Sequence, residues 1–147
     1  MRVEAVSIDQ IRPLRHEVLR KSQPFETTLY SEDLQPGAEH FGAFTDAGDL
    51  AAIASIYAES RPEAPSQAWR LRGMASSEAL RGKGYGSAVL RGVIESARSR
   101  GIAEIWCNAR VVAFEFYQRH GFQLVGELFE IEGIGPHSVM VLSFPKE

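Results

Sequence analysis

Cysteine is almost missing from these 147 residues: Cys107 stands alone. One thiol cannot close an internal disulfide, so a secreted disulfide scaffold is excluded. On the fifth of the strands read below, it fits a small buried apolar residue. No run approaches the roughly 18 consecutive apolar residues of a membrane span, and Met1 to Gln10 carry no apolar signal segment. The expectation is a reduced, cytoplasmic protein with no membrane partner. There is no excess of positive charge either, with a formal net charge of -3 and a pI near 5.8. Surfaces that bind nucleic acid are usually basic, so no nucleic-acid partner is expected. No His/Cys/Asp cluster has metal-ligand spacing, and no metal is expected. A G-x-S-x-G elbow is lacking too, which leaves Ser-His-Asp chemistry without support. What remains is an ordinary globular balance, 44% hydrophobic and 24% charged, of a length that suits one domain over 1–147.

Residues 1–7 alternate weakly and read as a first strand. Ser7 or Asp9 can cap a helix to about Arg20, with Ile11, Leu14, Val18 and Leu19 on its buried face. Pro13 is tolerable there only near the start. Residues 21–39 read as loop or broken helix, long enough to be functional. His40 to Thr45 and Leu50 to Ala58 form a hairpin around Asp46–Asp49. A loop with Pro62 and Pro65 leads to a fourth strand, Trp69 to Ser76. Val89, Leu90, Val93, Ile94 and Ala97 repeat at helical spacing from Tyr85 to Arg100, and Gly101 closes that helix. A short strand, Ile102 to Asn108, precedes a second helix over 109–120. Phe122 to Ile131 and His137 to Phe144 are the last strands, joined by a turn at 133–136. The order is β-α-β-β-β-α-β-α-β-β, a mixed α/β sheet with one right-handed parallel crossover.

The strongest chemical signal is Arg81-Gly82-Lys83-Gly84-Tyr85-Gly86, between a strand and an amphipathic helix. A helix start leaves N–H groups unpaired and favours negative charge. Glycines let a ligand approach the backbone. Together with Arg81 and Lys83 they make a site for phosphate or pyrophosphate. The spacing fits neither G-x-x-x-x-G-K-[ST] nor G-x-G-x-x-G, so a P-loop and a dinucleotide fingerprint both fail. The bland alternative is a tight turn with no ligand.

Arg81, Gly84 and Gly86 fill [Q/R]-x-x-G-x-G/A, which resembles the coenzyme A pyrophosphate loop of the GNAT N-acetyltransferase superfamily. Phe114-Glu115-Phe116-Tyr117-Gln118-Arg119-His120-Gly121-Phe122 resembles that family's second motif, and the element order matches over nearly the whole chain. Leu14-Arg15-His16-Glu17-Val18, Ser77–Gly82 and Gly135-Pro136-His137 look similar to the ElaA-like branch. The resemblance implies a GNAT-like fold with an acyl-CoA cleft between the fourth and fifth strands. Acetyl-CoA, or a similar small acyl-CoA, would pass its acyl group to a primary amine by direct attack through a tetrahedral intermediate. The pantetheine arm would lie along Met74, Ala75 and Ser76, and the pyrophosphate would take N–H groups from Gly82, Lys83, Gly84, Tyr85, Gly86 and Ser87. Tyr117 would be the general acid for the departing thiolate. Some members place a glutamate base where Ile105 stands, leaving Glu78, Glu127, Glu130, His40, His137 or a water chain. Many place an asparagine where Arg110 stands, so Asn108 or Arg110 would meet the cofactor. His137 is expected to face the acceptor, and residues 21–39 and 133–137 to shape its pocket. The acceptor is a small-molecule amine or a protein amino group, with a faint preference for a cationic one from the net charge. A homodimer is left open. The rival readings are a non-catalytic acyl-CoA sensor and a protein-interaction domain.

Overall fold

The computed structural model describes residues 1–62, 64 and 67–145. Pro65, expected in the loop before the fourth strand, lies outside them. The elements are β1 (Arg2–Val6), α1 (Ile8–Val18), β2 (Glu39–Phe44), β3 (Leu50–Ala58), β4 (Ala68–Ser76), α2 (Tyr85–Ser99), β5 (Glu104–Arg110), α3 (Phe114–Arg119), β6 (Gln123–Ile131) and β7 (Gly135–Ser143). They follow the order read from the sequence.

Local chemistry accounts for the helix ends. Ser7 opens α1 with a reciprocal capping box: its hydroxyl accepts from the Gln10 N–H, and the Gln10 side chain accepts from the Ser7 N–H. Pro13 falls inside α1 rather than at its edge, with its ring turned to solvent. At the far end of α2, Gly101 adopts φ +72°. The Ile102 N–H then reaches back to the Ala97 carbonyl at 3.0 Å, which satisfies an orphan carbonyl of the last turn.

Seven strands form one mixed sheet in the order β1-β2-β3-β4-β5-β7-β6. Side-chain alternation divides the core. Phe41, Ala43, Ala52, Ala54, Ile56 and Leu71 point to the face covered by α2 and α3. Ile53 and Ala75 point to the opposite face, covered by Ile11 and Leu14 of α1. Among the described residues no helix is long and apolar enough to cross a membrane.

Two features open the sheet. The parallel pair β4–β5 is held only at Ala68–Arg70 against Glu104–Trp106, after which the strands part. On its other side β4 takes a bulge against β3: Arg72 pairs with Ser55 and Ala75 with Ile53, so β4 spends one extra residue. Gly73 sits in that bulge at φ +69°, a conformation glycine adopts without a Cβ penalty.

Several boundaries differ from the sequence reading. Ala109 and Arg110 belong to β5, not to the following helix, because they pair with Ser138 and His137 of β7. A 3-10 turn over Val111–Ala113 then leads into a short α3 beginning at Phe114. Gly135 and Pro136 belong to β7, opposite Ile131 and Glu130. Pro136 is tolerated just past the last β5–β7 pair, where one side of β7 no longer has a ladder to complete. The segment read as loop or broken helix over 21–39 contains two 3-10 turns, Phe25–Thr28 and Ser31–Leu34, and its last residue, Glu39, opens β2.

Candidate active site

Where β4 and β5 part, a cleft of about 750 Å³ opens through the sheet. Its walls are β4 from Arg70 to Ser76 and β5 from Cys107 to Arg110. The end of α1, Tyr30, the start of α2, α3 and the β6–β7 turn close the rest. The β5-facing edge of β4 beyond Arg70 has no strand partner, so its backbone N–H and C=O groups are available to an amide-bearing arm, as in strand addition. Met74, Ala75 and Ser76 lie on this wall. Met74 also packs against the main core.

The glycine turn lies at one end of that wall. Gly82 and Gly84 both have left-handed φ, +80° and +88°, and a Cβ added at either would point into open space. Gly84 is the N-cap of α2 and offers no side-chain cap, so the first-turn N–H groups of a 15-residue helix face outward. Gly86 serves packing: a Cβ there would come within 3.0 Å of the Ser76 hydroxyl. Its absence seats the helix start against the end of β4. Arg81 and Gly86 line the cleft, while Gly82, Lys83 and Gly84 are exposed beside it. Ser87 is 3.1 Å from His120 Nε2, tying α2 to α3. These features suit an anion, and the residues fit the diphosphate and pantetheine of an acyl-CoA.

Tyr117 reaches the cleft from α3. Its ring is wedged against Phe116 and Phe122, with centroids 5.2 and 5.4 Å away. The hydroxyl makes no hydrogen bond to a described residue, yet it is not an enclosed orphan, so it opens to the cleft. Burial raises the phenol's pKa well above its ordinary value, the neighbouring Cys107 adds to this, and Arg110 opposes it. The phenol therefore stays protonated. Cys107 is buried, as expected, and burial pushes its thiol up to about 12.

His137, on β7 beside Arg110, also lines the cleft. Its Nδ1 is 2.8 Å from the Gly135 carbonyl. A carbonyl only accepts, so Nδ1 carries the hydrogen and the neutral ring keeps its lone pair on Nε2. The other base candidates are elsewhere. Glu78 pairs with Lys21 at 2.6 Å, and Glu127 and Glu130 are exposed on β6. His40 is buried against Ser55 at 2.7 Å, and burial lowers its pKa. Ile105 is a fully buried core residue. Asn108 and Arg110 both line the cleft.

Sequence reasoning missed a polar cluster beneath the cleft. Arg15 is fully buried and donates to the Thr28 carbonyl and to Asp33, each at 2.7 Å, and to Ser55 at 2.8 Å. The Tyr57 hydroxyl donates to Asp33 at 2.6 Å. Burial alone would raise the Asp33 pKa, but Arg15, Tyr57 and the Tyr30 N–H outweigh it and hold the carboxyl below its usual value. Arg70 and Arg72 were missed too. Their signal is an alternation, Arg-Leu-Arg, that puts two cations on one face of a central strand.

A mixed sheet split at its one parallel pair, with an anion-binding helix start and a phenol at the split, defines an acyl-CoA-dependent transferase site. Residues 6–122 match the acetyltransferase (GNAT) family. The chain is 37% identical over 141 residues to the uncharacterized N-acetyltransferase YitI of Bacillus subtilis, covering 95% of this chain and 94% of that protein. Two solved structures share the fold. An aminoglycoside 6'-N-acetyltransferase complexed with coenzyme A has a TM-score of 0.77 at 15% identity, over 100% of this chain and 99% of that one. Escherichia coli ElaA has a TM-score of 0.74 at 20% identity, over 96% and 99%. The chain belongs to the GNAT acetyltransferase family, whose members move an acetyl group from acetyl-CoA to an amine.

Proposed function

We propose that this cleft acetylates a primary amine, with His137 as the general base and Tyr117 as the group that assists the departing thiolate. The observation that carries this reading is that His137 is the only imidazole among the described cleft residues, which include no carboxylate. Bound acetyl-CoA supplies the activated thioester. The open edge of Met74 to Ser76 aligns its arm, and the N–H groups from Gly82 to Ser87, with Lys83 and Tyr85 among these residues, hold its diphosphate. Asn108 and Arg110 support the arm from β5. An amine arriving as ammonium loses its proton to Nε2 of His137, which the Nδ1 contact keeps receptive. The neutral amine then attacks the thioester carbonyl to give a tetrahedral intermediate; the carbon–sulfur bond breaks with the Tyr117 hydroxyl donating a hydrogen bond to the sulfur, and the second proton of the amine nitrogen passes to the departing thiolate.

Replacing His137 by glutamine keeps a polar side chain and removes the base. The expected result is a fall in kcat of about 10²-fold, with the remaining rate following only the ionisation of the amine itself. An unchanged kcat would remove His137 from this role. Gly84→Val tests the loop separately. A β-branched residue strains at φ +88°, and the helix start shifts away from the phosphates. Calorimetry should show acetyl-CoA bound at least about tenfold more weakly, a change of roughly 1.4 kcal/mol, with the far-UV spectrum kept. Normal binding would mean that the diphosphate sits elsewhere.

Two finer readings belong here. The ElaA-like likeness draws on Arg15 and on Pro136-His137, which occupy the buried cluster and the cleft rim. A homodimer draws on β6, an edge strand with Leu124, Val125, Leu128 and Phe129 exposed.

A further inference from the structure

Resting on the acetyltransferase reading above, we propose that the acceptor is a primary amine that also carries an oxyanion, a carboxylate or a phosphate, held by Arg72 and Arg20 beside Tyr30. The net charge of the chain points toward a cationic acceptor, but the charge inside the cleft has the opposite sign. Arginines 20, 70, 72, 81 and 110 line it, and among the described residues no aspartate or glutamate does. Arg81 and Arg110 lie toward the glycine turn and β5. The other three gather on the α1 side of the sheet, away from the diphosphate loop.

Their pairing leaves one charge over. Arg70 reaches Glu32 at 3.4 Å and Glu59 at 3.3 Å, and Arg72 reaches Glu32 at 2.9 Å. One carboxylate, Glu32, thus serves both. Arg20 makes no ion pair among the described residues, and its partner is the neutral Gln23 amide at 3.3 Å. Arg15, Arg72 and Arg20 all face the Tyr30 ring, at 4.0, 4.1 and 5.3 Å from its centroid. Arg15 is neutralised by Asp33. Arg72 shares Glu32 with Arg70 and Arg20 has a neutral partner, so the two guanidinium groups at the Tyr30 ring have less than one full counter-charge between them, and an oxyanion held by both would complete it. A guanidinium fork matches the geometry of carboxylate and phosphate alike. A polycationic amine would find five guanidinium groups and no carboxylate.

The test uses four primary amines of similar reach: β-alanine, phosphoethanolamine, ethanolamine and putrescine. Each is titrated against protein saturated with coenzyme A, with affinity read from the rise in Tm, and each is assayed for turnover. β-Alanine or phosphoethanolamine should bind at least about tenfold more tightly than ethanolamine, and putrescine least. The better of the first two tells carboxylate from phosphate. Arg20→Gln and Arg72→Gln should each weaken the oxyanion amines by about tenfold. Each should leave ethanolamine and acetyl-CoA within about twofold. Equal binding of ethanolamine, a preference for putrescine, or oxyanion binding that survives both substitutions would overturn the inference. A parallel loss of acetyl-CoA affinity would also overturn it, because the arginines would then serve the cofactor phosphates. Selective oxyanion binding without turnover of any amine would uphold the subsite and strike the catalytic roles of His137 and Tyr117 instead.

Discussion

Tyr117→Phe should lower kcat by about 10²-fold while leaving the acetyl-CoA dissociation constant within about twofold. The substitution removes one oxygen from a ring that Phe116 and Phe122 hold in place, so α3 keeps its packing. The low end of the range for acid catalysis applies for two reasons. A thiolate is already a tolerable leaving group. The phenol's pKa is also raised by burial, so complete proton transfer to sulfur is uphill and the hydroxyl helps by hydrogen bonding as negative charge develops. That help belongs to the transition state and shows in kcat rather than in ground-state binding. Single-turnover kinetics with any accepted amine, alongside a calorimetric acetyl-CoA titration, makes the measurement. A rate within about twofold of wild type would take the hydroxyl out of the mechanism. A Tm scan of the variant guards against a helix that has moved.

Arg15→Met is expected to have the largest effect on stability, a loss of about 3–5 kcal/mol in urea unfolding at neutral pH. Methionine fills much of the volume but leaves the Asp33 carboxylate, whose side chain is wholly buried, without its cation. Asp33→Asn added to Arg15→Met should recover part of the loss, because it discharges the orphan. The pH dependence carries a sign as well. In the native cluster the Asp33 pKa is lowered. Its contribution is therefore whole above the unfolded value of about 3.9 and is lost as pH falls through the lower folded value. His40 acts in the same direction: burial lowers its pKa, so its contribution is whole above about 6.5 and fades on acidification. Without Arg15 the Asp33 carboxyl loses the cation that lowers its pKa most, so its pKa rises from the native value and acid relieves the variant. The gap between wild type and Arg15→Met should narrow as pH falls from 7 toward 4. A gap below about 1 kcal/mol at neutral pH, or one that widens in acid, would show that Arg15 does not stabilise the cluster.

Near-neighbour patterns made much of the molecule legible in the chain itself. Ser7 or Asp9 marks a helix start, Val89 to Ala97 mark a buried helical face, and Asp46 to Asp49 mark a hairpin. The run from Arg81 to Gly86 marks a turn suited to an anion, because glycine spacing, helix start and cation all lie within six residues. Element order and the glycine turn needed nothing else, whereas Tyr117 stood out only through the resemblance of Phe114–Phe122 to a family motif. Long-range pairing decided the rest. Ala109 and Arg110 look like the start of a helix until β7 supplies a ladder that holds them in β5. Gly135 and Pro136 look like a turn until Ile131 and Glu130 of β6 pair with them. Arg15, Asp33 and the β3 pair Ser55 and Tyr57 are scattered over three segments, and only the stacking of α1 on the sheet brings them within hydrogen-bonding distance. The charge of the cleft was hidden for the same reason. A net charge sums every residue equally, whereas the fold turns the arginines of β4 and of the segment after α1 inward and leaves the acidic residues outside the cleft.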